Sequence, residues 1–315
     1  MRLLLTWNAL AEDVDMIREA TGAEVVLARD KEEAVRLAPT ADVIFGLAAA
    51  EVLKAAEKCR WLQIIFAGAE RVLAAEWGNP DMVVTNASGI FGPPVAEHAV
   101  GLLLALNRGI HLSRDNQLAR VWESNINWQF RELTSVVVGI LGFGDLGEQV
   151  AKRLAGFGCE IIGFRRNPTG EERYAKAVYP IAEFDNYLGQ LDYLIGTLPE
   201  TADTIGFLHR GRLQKMQSHA MIINVGRGSL IPHGDLVEAL EKGWIGGVGL
   251  DVTNPEPLSA ESPLWEMTNV LITPHNAGYT PFHKTRAISI FLENWGYFQK
   301  EGIPRINVVN PKLGY

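Results

Sequence analysis

Three side chains in this sequence have complementary chemistry: Arg227, Glu256 and His275. A planar guanidinium holds a carboxylate bidentately and polarises a neighbouring carbonyl. A histidine can give the carbonyl oxygen a proton as a hydride arrives at carbon. A carboxylate beside that histidine favours its imidazolium form. Together they are what hydride transfer to a 2-keto acid requires. Taken singly, each has a plain structural reading: a surface ion pair, a solvated loop residue between Pro255 and Pro257, and a turn residue after Pro274. Their placement joins them. Each follows an apolar run that reads as a strand: Ala220 to Asn224, Gly247 to Val252, and Val270 to Ile272. Ligands of parallel sheets bind outside the carboxyl ends of the strands.

The element that positions them runs from Val136 to Asn167. Val136 to Leu141 is a β-branched, apolar run, followed at once by Gly142-Phe143-Gly144-Asp145-Leu146-Gly147. A helical pattern with Val150, Leu154 and Phe157 on one face comes next, stopped by Gly156 and Gly158. Ile161 to Phe164 is a second strand. In that strand–helix–strand setting the glycine spacing reads as a dinucleotide site. Gly142 allows the tight turn, Gly144 admits a pyrophosphate, and Gly147 lets helix pack on strand. The second strand ends in Arg165-Arg166, where an NAD enzyme carries an acid for the ribose hydroxyls, and no acidic residue is nearby until Glu171. A guanidinium there suits a 2′-phosphate. NADP(H) is therefore the expected cofactor, with NAD(H) as the alternative.

Strand and helix signals alternate along the rest of the chain, which implies α/β architecture: two Rossmann-like domains with parallel sheets. The expected layout is a dinucleotide-binding domain of 101–285 inserted into a substrate domain made of 1–100 and 286–315, with the active site in the cleft between them. Two loops at strand ends of the first domain, Gly46-Leu47-Ala48 and Ala67-Gly68-Ala69, are expected to face the substrate. One long helix is predicted from about Val95 to about Val121, with Ala96 to Ile110 apolar nearly all round. A helix of that kind is buried on several sides, so a homodimer through it is expected. Glu97 and His98 read as capping and orienting residues near its start. Trp122 to Glu132 reads as an irregular crossing segment, with Trp122 and Trp128 packing at the interface.

The 315 residues are 47% hydrophobic and 21% charged, an ordinary globular composition. No apolar run approaches the ~18 residues that span a bilayer. The net charge of −8 argues against a nucleic-acid or anionic-membrane surface. Cys59 and Cys159 lack CxxC spacing, so neither a disulfide framework nor a metal site is implied, and a cytoplasmic location fits.

The chain resembles the D-isomer-specific 2-hydroxyacid dehydrogenase family over nearly its whole length. The resemblance is carried by Val138 to Gly147, Leu198-Pro199-Glu200-Thr201, Asn224 to Gly228, Asp251-Val252 with Glu256-Pro257, and Thr273 to Gly278. It implies that Arg227 binds substrate, that His275 is the acid/base and that Glu256 pairs with it. It implies that Asp251 contacts the nicotinamide amide, that Leu198, Pro199, Thr204, Val225, Gly226 and Gly278 join the glycine loop in lining the cofactor groove, and that Gly68 and Ala69 hold the substrate carboxylate by backbone N–H groups. Leu47, Ala67, Arg227 and His275 complete the implied substrate set. The implied reaction is reduction of a small 2-keto acid of the glyoxylate or hydroxypyruvate type to the D-2-hydroxy acid. The same scaffold leaves two alternatives: a dinucleotide-sensing, corepressor-like binding protein, and oxidation of a small anion such as phosphite. Thr253-Asn254 departs from the family's usual aromatic residue followed by a variable one, which bears on the floor of that loop, and Ala69-Glu70 from its bulkier residue and aspartate, which bears on substrate choice and not on reaction class.

Overall fold

Short apolar runs, most of them buried on both faces, form two all-parallel sheets in a computed structural model that describes residues 1–311. Contacts within the chain divide it into two units, Met1–Phe91 with the chain from Thr280 onward, and Gly92–Tyr279. The sequence reading places those boundaries at 100/101 and 285/286.

The first unit runs β1 (Arg2–Thr6), α1 (Ala11–Thr21), β2 (Glu24–Leu27), α2 (Lys31–Leu37), β3 (Val43–Gly46), α3 (Ala50–Ala55), β4 (Trp61–Ile64), α4 (Glu70–Leu73) and β5 (Val83–Thr85). Its sheet order is β2-β1-β3-β4-β5. Every residue of β3 and β4 is buried, which is why these strands are continuous rather than alternating in hydrophobicity. The strand order reverses between β1 and β3, the switch point at which such sheets bind ligands. Gly46 and Leu47 lie there.

The second unit runs α5 (Gly92–Asn107), α6 (Ile110–Ala119), β6 (Val137–Leu141), α7 (Asp145–Leu154), β7 (Glu160–Arg165), β8 (Ala177–Pro180), β9 (Tyr193–Gly196), α8 (Arg210–Leu213), β10 (Met221–Asn224), α9 (His233–Glu241), β11 (Gly247–Leu250) and β12 (Val270–Ile272). The order β8-β7-β6-β9-β10-β11-β12 is doubly wound, with its switch point between β6 and β9. The last helix, α10 (His283–Glu301), returns to the first unit. There Phe291 stacks on Phe45 and Trp61, and Val309 N–H donates to the Val84 carbonyl.

Two elements differ from the sequence expectation. The single helix from Val95 to Val121 is two helices, α5 and α6, broken at Arg108-Gly109. Gly109 takes a left-handed φ of 57°, and Phe130 and Trp128 from the crossing segment pack against it, leaving a side chain there 3.2 Å from the Phe130 ring. Most of α5 is buried within its own unit, whereas α6 buries nothing. The strand β8 is an addition. It lies at the sheet edge and ends in Pro180, where a missing N–H costs no ladder bond. Among the described residues no helix is long and apolar enough to cross a membrane.

Candidate active site

The glycine turn between β6 and α7 is shaped to receive a dinucleotide. Gly142 has a φ of +107°, and a Cβ on Gly147 would stand 2.4 Å from the Gly142 carbonyl oxygen. Both positions therefore demand glycine. Phe143 is buried against β7, so only its backbone borders the turn. The N–H groups of Gly142 and Phe143 donate to the Phe164 carbonyl, and that of Gly144 to the Gly142 carbonyl. Those of Asp145, Leu146 and Gly147 lie in the first turn of α7, where a helix has no acceptor for them. Gly144 is the N-cap, makes no side-chain cap, and has no atom within 4 Å of where its Cβ would stand. That open cradle at a helix N-terminus fits a pyrophosphate. Partial desolvation pushes the Asp145 carboxyl up from its ordinary range, with Glu148 adding to the effect.

Other implied groove residues shape the neighbouring strand ends. The Thr204 hydroxyl donates to the Pro199 carbonyl at 2.7 Å and accepts from Thr201 N–H, so it braces the Leu198–Thr201 loop. Val225 N–H donates to the Gly196 carbonyl, which aligns its turn with that loop.

At the end of β7, Arg165 Nη1 lies 3.2 Å from Glu172 Oε1. The acid nearest this guanidinium is thus Glu172 rather than Glu171. Glu172 accepts N–H groups from Thr169 and Gly170 at 2.6 and 2.8 Å. These bonds, that of Thr169 foremost, bring its carboxyl down to about 2. Arg166 lies 3.8 Å from Asp203. Nothing in the local pattern of residues 169–172 marks Glu172 out; a carboxylate that closes a turn and reaches back to a strand end is visible only in three dimensions.

The ends of β10, β11 and β12 carry Arg227, Glu256 and His275. Asn224 is buried and holds the first turn from both sides, donating to the Arg227 carbonyl and accepting from Gly226 N–H. Arg227 Nη1 donates to the Gly226 carbonyl. A Cβ on Gly228 would stand 2.0 Å from the Thr253 carbonyl oxygen, so the Arg227 turn lies directly on the loop that carries Glu256. One oxygen of Glu256 accepts Thr253 N–H and the other lies 2.9 Å from His275 Nδ1. A carboxylate accepts, so Nδ1 carries the proton and Nε2 is the outer nitrogen. His275 takes a left-handed φ of 51°, held because its N–H donates to the Asp251 carbonyl. Its side chain is 51% exposed.

Asp251 is 2% exposed, and its carboxylate is occupied by the protein itself. It accepts the Thr273 hydroxyl at 2.6 Å and the N–H groups of Asn276 and Ala277 at 3.0 Å. The turn from Thr273 through His275 to Gly278 is therefore closed on this one carboxylate. The sequence singles out Asp251 but gives no sign of this role, which depends on contacts between residues far apart in the chain.

In the first unit, Leu47 is exposed just past β3, with its N–H donating to the Thr6 carbonyl. The Ala67 carbonyl accepts the Asn86 amide and the Phe66 carbonyl accepts Ala87 N–H. These bonds fix the Ala67-Gly68-Ala69 loop, and Ala69 leads into α4.

Residues 100–277 match the family model described as "D-isomer specific 2-hydroxyacid dehydrogenase, NAD binding domain". The chain is 30% identical to a hydroxypyruvate reductase of Blautia hydrogenotrophica over 93% of either sequence. It is similar to the crystal structure of a D-isomer specific 2-hydroxyacid dehydrogenase family protein from Aeromonas salmonicida, at 33% identity and a TM-score of 0.87, covering 98% of this chain and 99% of that one. It is also similar to an NADPH-dependent glyoxylate/hydroxypyruvate reductase of Sinorhizobium meliloti in complex with NADP and sulfate, at 27% identity and a TM-score of 0.84, covering 100% of this chain and 99% of that one. Of two D-3-phosphoglycerate dehydrogenases that it matches, the chain spans 59% and 49% of the length.

Proposed function

This chain belongs to the D-isomer specific 2-hydroxyacid dehydrogenase family, and we propose that it reduces a small 2-keto acid, of the glyoxylate or hydroxypyruvate type, to the D-2-hydroxy acid with NADPH as preferred cofactor. The observation that carries this reading is the 2.9 Å contact between His275 Nδ1 and Glu256, on strand ends shared with the Arg227 turn.

In the proposed reaction Arg227 takes the substrate carboxylate and polarises the 2-keto group. The family resemblance adds Leu47, Ala67 and the N–H groups of Gly68 and Ala69, on the first unit, as candidates for substrate contact. The reduced nicotinamide, when bound, supplies the hydride to the carbonyl carbon. His275 Nε2 gives its proton to the carbonyl oxygen, and Glu256 steadies the ring through Nδ1. In the reverse direction Nε2 takes that proton back. The first turn of α7 holds the pyrophosphate, and Arg165 with Arg166 takes the 2′-phosphate. The NADP found in the Sinorhizobium relative supports that choice.

A homodimer is part of the proposal. On α6 and just beyond it Ile110, Leu118 and Val121 are exposed and Trp122 is 98% exposed, an apolar surface that a partner copy would cover.

The test is oxidation of NADPH, followed at 340 nm, with a panel of 2-keto acids. Saturable turnover of glyoxylate or hydroxypyruvate is expected. Tight NADPH binding with no turnover of any keto acid would overturn the reading in favour of a dinucleotide-sensing protein.

A further inference from the structure

His98 lies in the second turn of α5, and α5 packs on α7, β10 and β11. The imidazole leaves its own helix. Its Nε2 stands 2.8 Å from the hydroxyl of Thr273, 175 residues along the chain, and 3.5 Å from Asp251 Oδ1.

The direction of these bonds follows from counting protons. The Thr273 hydroxyl has one hydrogen to give. Its two oxygen neighbours, Asp251 Oδ1 at 2.6 Å and the Leu250 carbonyl at 3.5 Å, only accept. The shorter contact takes the hydrogen. His98 must then donate from Nε2 into the Thr273 oxygen. Neutral imidazole with its proton on Nε2 does this, and so does imidazolium. The opposite tautomer would either leave two lone pairs facing each other or draw the hydroxyl's hydrogen away from Asp251.

The chain of donors has a definite end. Asp251 accepts Thr273 and Asn276 N–H on one oxygen and Ala277 N–H on the other, and its carbonyl accepts His275 N–H. The two amides lie immediately after His275, whose left-handed backbone needs support from its surroundings. An Asp251 carboxylate that rotates releases those amides and the catalytic imidazole with them.

We propose that His98 is a positioning residue: by donating Nε2–H to Thr273 it orients that hydroxyl onto Asp251, and so holds the turn that presents His275. This rests on the assignment of His275 as the acid/base. His98 thus does more than cap α5, because its bond ties a helix to the end of β12.

The experiment compares His98→Ala, His98→Gln, Thr273→Val and the double variant His98→Ala/Thr273→Val with the wild type. Hydrogen exchange of residues 273–278 is read by mass spectrometry, and steady-state rates are measured with NADPH and the best keto acid. Exchange of this turn is expected to quicken in His98→Ala, and kcat to fall about 10- to 100-fold, the scale of a displaced catalytic group, with a smaller change in KM. His98→Gln offers an amide donor at a similar reach and restores most of both. The double variant is no worse than Thr273→Val, since both changes break one chain. Wild-type exchange in a folded His98→Ala, a His98→Gln no better than His98→Ala, or losses that multiply in the double variant would each overturn the proposal. If His98→Ala does not fold, His98→Gln and Thr273→Val still decide it by exchange. If the wild type turns over no keto acid, the functional reading fails, and exchange still decides whether His98 holds the turn.

Discussion

Glu256 grips His275 with one carboxylate oxygen and its own loop with the other, at 2.9 Å to Nδ1 and 3.1 Å from Thr253 N. The imidazole is thereby fixed in tautomer and direction by a residue that is itself anchored. Replacing His275 by Ala is expected to lower kcat by roughly 10²- to 10⁴-fold, the range for a positioned acid/base, while NADPH binding measured by fluorescence titration stays intact. Glu256→Gln keeps the shape and removes the charge, so it is expected to lower kcat less. Near-normal turnover by His275→Ala would show that the proton comes from elsewhere.

Much of the architecture is legible in the sequence, and for a physical reason. Strands buried on both faces, such as Val43–Gly46 and Met221–Asn224, have no polar alternation to blur them. The Gly142–Gly147 turn is legible because its backbone admits only glycine at two of its positions. Elements that owe their form to distant partners were not legible. The break at Gly109 comes from Phe130 and Trp128 packing against it. β8 exists by pairing with β7 at an edge, and its residues are half-buried, so no clear pattern announces it. In the site the same division holds. Residue types at strand ends pointed to Arg227, Glu256 and His275. Glu172 and the His98–Thr273–Asp251 chain are tertiary facts with no local signature.

Glu172 gives a pH signature. Its folded carboxyl sits at about 2, brought down chiefly by Thr169 N–H. An unfolded glutamate titrates near 4.3. A lowered folded value means that the ionised group stabilises the fold above about pH 4, and that this contribution is lost as the pH falls through 4 toward 2. Glu172→Gln is therefore expected to melt below the wild type near pH 6, with the gap narrowing between pH 4 and 2. Melting curves recorded by circular dichroism across that range check it. A gap that widens on acidification would mean that Glu172 does not hold the loop as a carboxylate.

The proposed dimer is assigned to a surface that the second unit leaves uncovered. Ile110, Leu118, Val121 and Trp122 are exposed along and just past α6, while α5 is largely spent on its own unit. Exposed apolar residues this near one another along the chain are the candidate association surface. Sedimentation at micromolar concentration is expected to show a dimer, and Trp122→Ser is expected to raise its dissociation constant. A wild-type monomer under those conditions would refute the interface.

In the proposed function, cofactor choice is assigned to Arg165. Its guanidinium is tied to Glu172 through Nη1, which fixes it at the end of β7 but also sets a carboxylate beside the place of a 2′-phosphate. Two effects therefore compete. The carboxylate repels the phosphate, and the positioned guanidinium attracts it with charge-assisted bonds. The geometry favours attraction. Glu172 is nearly covered, with its oxygens spent on two backbone N–H groups as well as on Arg165, whereas the Arg165 side chain is about one-third exposed and has five N–H donors, more than one carboxylate occupies. Arg166 stands beside it and adds positive charge. A tenfold preference needs only about 1.4 kcal/mol, within reach of one partly exposed arginine–phosphate contact. The wild type is expected to show a higher kcat/KM for NADPH than for NADH, at least about tenfold at fixed ionic strength. Arg165→Asp removes the attraction and leaves two carboxylates facing the phosphate, so it is expected to abolish or reverse the preference, mainly through the KM for NADPH. Equal kcat/KM for the two cofactors in the wild type would show that Arg165 does not read the phosphate.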